Sequence, residues 1–196
     1  MVRFEKGHKE ATRARIIESA SLRFRRDGVA ATGIAGLMAD AGLTHGGFYA
    51  HFASKEELVR EATAVALLGA KSLGVLEKSG VEAFIRSYLR KAHRDMPEQG
   101  CALAALAPEM ARQGDETRAD FTARLNSILA SISEKLPERM SLRTRWKTAV
   151  GILGVLVGTL QLARIVRNTE LSDQILESGI KAALQIMRVE EVLGRP

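Results

Sequence analysis

Thr44, His45, Gly46, Gly47, Tyr49, His51 and Lys55 fall within twelve consecutive residues of a 196-residue chain. Together they offer a hydroxyl, two imidazoles, a phenol and an ammonium group beside a pair of glycines. Hydroxyl, phenol and ammonium groups donate to phosphate oxygens, and an imidazole can address a base edge. Phe48 and Phe52 are four apart, so on a helix they share a face and can anchor the segment to a core while the polar set faces outward. The chemistry implied is contact with a nucleic-acid backbone.

Such a set needs elements that hold it at a fixed angle. The run Gly33 to Ala41 has helical spacing, with Ile34, Leu37 and Met38 on its apolar stripe. Gly42 follows where a positive-φ turn is required, and Leu43 plugs the angle between two helices. Ser54 with Glu57 three residues later forms a capping box that starts a further helix. A helix, a Gly turn and a short polar-faced helix form the layout of a helix-turn-helix DNA reader.

Residues Val29 to Glu57 resemble the N-terminal domain of TetR-family transcriptional repressors, whose signature ends in Tyr-x-His-Phe followed by Ser-Lys-Glu. Here these positions read Tyr49-Ala50-His51-Phe52 and Ser54-Lys55-Glu56. The resemblance covers about the first third of the chain. It implies a homodimer that binds a double-stranded operator, backbone contacts by Tyr49 and Lys55, and release by a small-molecule inducer. Thr32, Thr44, His45, Gly46, Gly47 and His51 complete the expected DNA-binding set. Two positions depart from the pattern: Gly33 stands where the family has a second Thr or Ser, and Gly46-Gly47 leaves few long side chains for base readout.

Composition is compatible with this reading and narrows the alternatives. Formal net charge is +6, and Met1 to Arg26 holds eight Lys and Arg against three Glu, which places positive charge ahead of the motif. A single Cys rules out an internal disulfide framework and fits a reducing cytoplasm. The first residues are charged with no apolar run behind them, so no secretory signal is expected. The apolar stretch Ala149 to Ala163 is shorter than the roughly 20 residues a bilayer span needs, and reads as a buried helix with no membrane partner. The four His are His8, His45, His51 and His93. None sits at ligand spacing with a Cys or carboxylate pair, and neither a Gly-x-Ser-x-Gly elbow nor a phosphate loop is present. No metal, cofactor or enzymatic activity is expected. A helical small-molecule carrier or enzyme without a DNA role remains the alternative, with a non-specific architectural DNA binder as a third reading. Salt-dependent binding to a palindromic duplex separates them.

The rest of the chain reads as helices throughout, giving an all-α fold of about nine helices. The helix-turn-helix domain occupies residues 1–53, three-helix in plan, and a helical ligand-binding and dimerisation domain occupies 54–196. A polar lead-in spans residues 1 to 8. The first helix buries Ile16 or Ile17, Ala20 and Phe24, directs Lys9, Arg13, Arg15, Arg23, Arg25 and Arg26 outward, and stops at Gly28. Later helices are expected from Lys55 to about Lys78, from a second capping box at Ser79 to Arg94, and from Asp115 to about Leu136. The last two run from Ser141 to about Asn168 and from Ser172 to about Val189. Pro108 should kink or restart the run that follows Cys101.

Gly151, Gly154 and Gly158 form a stripe without side chains, and Gly179 with Ala183 does the same on the last helix. Both stripes are expected at a dimer interface, which the resemblance to TetR proteins also implies. Gly100 to Glu109 resembles a Gly-Cys-Pro-Leu-Ala-Ala-Leu segment of one TetR subgroup, with Ala102 in place of the Pro. From it and its neighbours a ligand pocket is expected around Tyr88, Cys101, Leu106, Met110, Phe121, Leu125 and Trp146.

Overall fold

The computed structural model describes residues 6–66 and 70–193. The expected polar lead-in falls mostly on residues 1–5, outside the described residues, and so do residues 67–69 of the expected fourth helix. Helix α1 (Lys6–Asp27) buries Ile16, Ala20 and Phe24 completely. It stops at Gly28, whose φ of 85° is the left-handed conformation that only glycine adopts without strain. Helix α2 (Ile34–Asp40) follows, then a 3-10 helix (His45–Ala50), α3 (Lys55–Ala66), α4 (Ala70–Tyr88), α5 (Lys91–Asp95) and a single 3-10 turn at Pro97–Gln99. Helices α6 (Ala102–Met110), α7 (Asp115–Glu134), α8 (Leu142–Ile165) and α9 (Thr169–Leu193) complete an all-helical fold with no strand among the described residues.

Where the elements differ from the sequence reading, a specific interaction accounts for it. Gly80 interrupts α4 with φ 77°, at the expected restart. The pattern carries that restarted helix to Arg94, yet it ends at Tyr88. The His93 ring reaches back to the Tyr88 carbonyl at 2.6 Å, and Arg164 donates to the carbonyls of His93 (2.7 Å) and Arg94 (3.2 Å). These bonds stabilise a corner in place of one more helical turn. Pro108 neither kinks nor restarts α6. The carbonyl it leaves without a helical donor, that of Ala104, accepts from Gln161 Nε2 at 3.2 Å, so no buried acceptor is orphaned.

Helices α8 and α9 form the most extensive packed pair, a hairpin closed at both starts by side-chain caps. Ser141 accepts from Thr144 N at 3.1 Å and Asn168 accepts from Leu171 N at 2.9 Å. Ser172, expected to open α9, lies inside it and donates to the Ala163 carbonyl of α8 at 2.7 Å. The α8 helix is 24 residues long, so by length and composition it could cross a bilayer, which corrects the shorter apolar run read from sequence. Its Ala149, Ile152, Leu156, Leu160 and Ala163 are fully buried against α6, α7 and α9, as in a core helix.

Candidate nucleic-acid interface

The turn after α2 is built by two backbone bonds. Leu43 N donates to Met38 O at 2.8 Å and Gly42 N to Ala39 O at 2.9 Å, with Gly42 at φ 72°. This is the paired Schellman closure of a helix C-terminus, and it fixes the angle at which the next segment leaves. Behind that segment Phe48 and Phe52 stack with centroids 5.5 Å apart and are both buried. Burying two such rings contributes roughly 1.5–3 kcal/mol each. The segment itself is a 3-10 helix of six residues rather than an α-helix. Two adjacent glycines weaken an α-helix by roughly 1 kcal/mol each, and a 3-10 turn suits so short a run.

The outer side of this wedge presents Thr44, His45, Gly46 and Tyr49 to solvent, with Tyr49 65% exposed. Neither Gly46 nor Gly47 has positive φ. A Cβ on Gly46 would meet nothing within 4 Å, and one on Gly47 would make ordinary contacts with Met38 and Thr44. Nothing in the chain therefore requires glycine at either position.

Three other expected contacts lie differently. Thr32 is buried, and its hydroxyl donates to the Gly28 carbonyl at 2.6 Å, so its side chain closes a turn instead of facing outward. Lys55 turns its ammonium inward to the Val29 carbonyl at 2.7 Å. Its place at the start of α3 stands, because Glu57 N donates to Ser54 Oγ at 3.1 Å and a Glu57 carboxylate oxygen accepts from Ala53 N at 2.7 Å. His51 is half-buried. Desolvation, followed by the nearby Lys9 and Arg13, lowers its pKa and favours the neutral ring.

The basic face of α1 is more engaged than its sequence implies. Arg13 lies 4.6 Å over the Phe52 ring, donates to the His51 carbonyl at 3.2 Å, and pairs with Glu57 (3.0 Å) and Glu61. It is a structural brace between α1 and α3, which sequence reasoning missed. The signal was the Glu57–Glu61 pair one helical turn apart. Arg23 pairs with Asp40 at 2.7 Å, and Arg25 donates to the Glu98 carbonyl at 2.6 Å. Lys9 and Arg15 remain exposed.

The residues of the other two expected sites differ in burial. Tyr88, Cys101, Leu106 and Met110 are fully packed in the core, Phe121 and Leu125 are half-buried on α7, and Trp146 is 39% exposed on α8. None of the seven lines the clefts between Arg94 and Ser172, along α8 and α9, or between the head and α6. Gly179 and Ala183 are occupied within the chain: a Cβ on Gly179 would collide with Thr159, and Ala183 is fully buried. A Cβ on Gly151 would make an ordinary contact with Ile186 at 3.5 Å. Gly154 and Gly158 alone of the stripe have open space beside them.

Residues 16–62 match the family model of bacterial regulatory proteins, tetR family. The chain is similar to the HTH-type transcriptional regulator TtgR of Pseudomonas putida, 47% identical over 60 residues, a stretch spanning 31% of this chain and 29% of that relative. The fold extends the likeness. A TetR-family transcriptional regulator from Cytophaga hutchinsonii superposes with a TM-score of 0.71 at 22% identity, covering 93% of this chain and 98% of that one. The regulator SCO4454 from Streptomyces coelicolor gives 0.70 at 18% identity, covering 91% and 95%.

Proposed function

We propose that this chain is a TetR-family transcriptional regulator, a ligand-responsive repressor that binds a palindromic operator as a homodimer in the bacterial cytoplasm. The observation that carries the DNA-binding part is the 3-10 segment. Thr44, His45, Gly46 and Tyr49 are exposed on a short helix whose back is clamped by buried Phe48 and Phe52. Glycines with neither a conformational nor a packing reason make sense if the backbone must approach the groove closely. Tyr49 and Thr44 would contact phosphates, with the exposed Lys9 and Arg15 adding charge, and His45 would address a base edge.

The dimer reading rests on α8. Leu162 and Ile165 lie exposed beside Gly154 and Gly158 on one side of α8, and Leu142, Trp146 and Val150 carry the i, i+4 row round the first half of the helix. A second copy crossing at the two open glycines would cover this apolar face. The division at residue 53 then separates a DNA-binding head from a body that dimerises and receives the effector. Effector binding would favour one spacing of the two heads over another, a population shift that needs different affinity for the two arrangements.

The test is selection from a random duplex pool followed by anisotropy titration across salt. A two-fold symmetric consensus with steeply salt-dependent affinity is expected. Equal binding to every duplex would make the protein an architectural binder, and no binding at low salt would leave the carrier or enzyme reading.

A further inference from the structure

The two ends of α6 keep different company. At its start Cys101 N donates to His93 Nε2 at 3.0 Å, and Ala102, Ala104 and Leu106 are buried, with the Ala104 carbonyl tied to Gln161 of α8. At its other end Glu109 reaches out of the body and onto the head. Its Oε2 accepts from the backbone N–H of Ala30 at 2.9 Å, in the turn between α1 and α2. Its Oε1 lies 2.8 Å from where a Cβ on Gly28 would stand. Gly28 thus has two reasons to be glycine: its φ of 85° and the carboxylate packed against it.

The turn that receives Glu109 is stiff. Thr32 Oγ1 closes it onto the Gly28 carbonyl, and Lys55 Nζ fastens the Val29 carbonyl to the start of α3. A displacement of Ala30 is therefore passed to Gly33, where α2 begins. Other links join α1 and α3 to later parts of the chain: Arg25 to the Glu98 carbonyl, Glu56 to Thr117 at 3.4 Å, and Arg60 to Glu116 and Asp120. Glu109 is the α6 side chain bonded to the turn that launches the helix-turn-helix, beside the bond that Lys55 of α3 makes to Val29.

We infer that Glu109 is a positioning residue that sets the angle of the DNA-binding head on the body. The carboxylate borders a cleft of about 290 Å³ shared with Val59, Arg112 and Gln113, so it can leave Ala30 without a clash. The inference rests on the DNA-binding reading only for its consequence, since the latch itself can be read without DNA.

Full-length wild type is compared with Glu109→Ala, which removes the acceptor, Glu109→Asp, which shortens it by one methylene, and Glu109→Gln, which keeps an oxygen at the same reach. Amide exchange at Ala30 should accelerate about tenfold or more in the Ala and Asp variants and stay within about threefold of wild type in Gln. Duplexes carrying the half-sites selected by wild type, but with their separation varied, supply the second readout. Wild type and Gln should prefer one separation. Ala and Asp should spread over several while keeping the same base preferences, which a general loss of stability would not produce. Unchanged Ala30 exchange in both Ala and Asp overturns the latch, and so does a wild-type separation profile in variants whose exchange has increased. If wild type selects no duplex at all, the DNA-binding reading fails and the exchange arm still decides whether the latch exists. Should Glu109→Ala not fold, the Asp variant carries the comparison.

Discussion

The 3-10 segment and helix α8 each leave a face uncovered, and the two faces are opposite in chemistry. The first carries Thr44, His45 and Tyr49 over a small aromatic wedge; the second carries Leu162 and Ile165 beside two open glycines, with Leu142, Trp146 and Val150 on the row round the first half of the helix. A polar face on a rigid mount suits a hydrated polyanion, where affinity comes from counterion release and falls with salt. An apolar face of several turns suits another protein surface, where burial supplies the energy and salt matters little. Both faces hold glycines that the chain's own packing leaves unexplained.

The largest effect should come from filling that space on α8. Gly158→Leu adds a side chain where the monomer has nothing within 4 Å, so the single chain should fold as before. Across a helix crossing the same side chain overpacks, at a typical cost of about 1–3 kcal/mol per copy, paired by symmetry in a dimer. Light scattering should report monomer, circular dichroism should be unchanged, and operator affinity should collapse. Gly179→Ala sharpens the contrast. Its Cβ collides with Thr159 inside the chain, so it should lower the melting temperature of the fold itself. A stable dimer in Gly158→Leu would move the interface elsewhere.

Next in size is a pH effect that belongs to the body alone. His93 is buried, accepts from Cys101 N through Nε2, and therefore carries its proton on Nδ1, donated to the Tyr88 carbonyl. Desolvation holds its pKa down to about 4, with the charge of Arg164 acting in the same direction. Below its ordinary value of 6.5 the unfolded chain takes up a proton that the folded protein refuses. Stability fully present above pH 6.5 is thus lost as pH falls toward 4, by roughly 3 kcal/mol from this one ring. Urea unfolding at about pH 7, 5.5 and 4.5, with the imidazole resonances followed by NMR, checks it. A His93 midpoint near 6.5 would contradict the buried neutral network.

These cases mark how far the sequence could be read. Gly28, Gly42 and the Ser54–Glu57 cap were legible because each is a local demand of the backbone, answered by residues a few positions away. Arg13, Lys55 and Glu109 were not, because their partners at Glu61, Val29 and Ala30 lie 48, 26 and 79 positions distant. A cation on a helix face reads as solvated until the fold brings a carboxylate or carbonyl to it. The expected pocket residues lie in or against the core for a related reason. Apolar residues at helical spacing announce burial, but burial as solid core and burial around a ligand give the same pattern.

A smaller effect separates two residues that resemblance treats alike. Tyr49 is exposed and its hydroxyl is available, whereas the Lys55 ammonium is held by the Val29 carbonyl. Tyr49→Phe should cost about 1 kcal/mol, near fivefold in affinity, on specific and random duplexes alike. Lys55→Ala should leave the salt slope unchanged, though it orphans a carbonyl and loosens the head. A drop in that slope of about one unit would show that the ammonium leaves Val29 and reaches a phosphate.

The smallest effect is expected at Cys101, the one thiol. The residue is 2% exposed at the start of α6, where helix amides lower a thiol pKa. Here burial outweighs them. Desolvation is the leading influence and pushes the thiol up, while the Tyr88 hydroxyl and the amides of Ala104 and Leu103 pull it down without prevailing. The same contact raises Tyr88, chiefly because that phenol is buried too. A thiol that is both neutral and enclosed reacts only when the protein opens around it. Iodoacetamide should therefore label native Cys101 at a rate set by local opening, orders of magnitude below the rate in urea. Cys101→Ser should keep operator affinity within about twofold, because a hydroxyl can make the same contact with Tyr88 in nearly the same volume. Rapid labelling of the folded protein at neutral pH, with operator release following it, would turn the packing residue into a sensor.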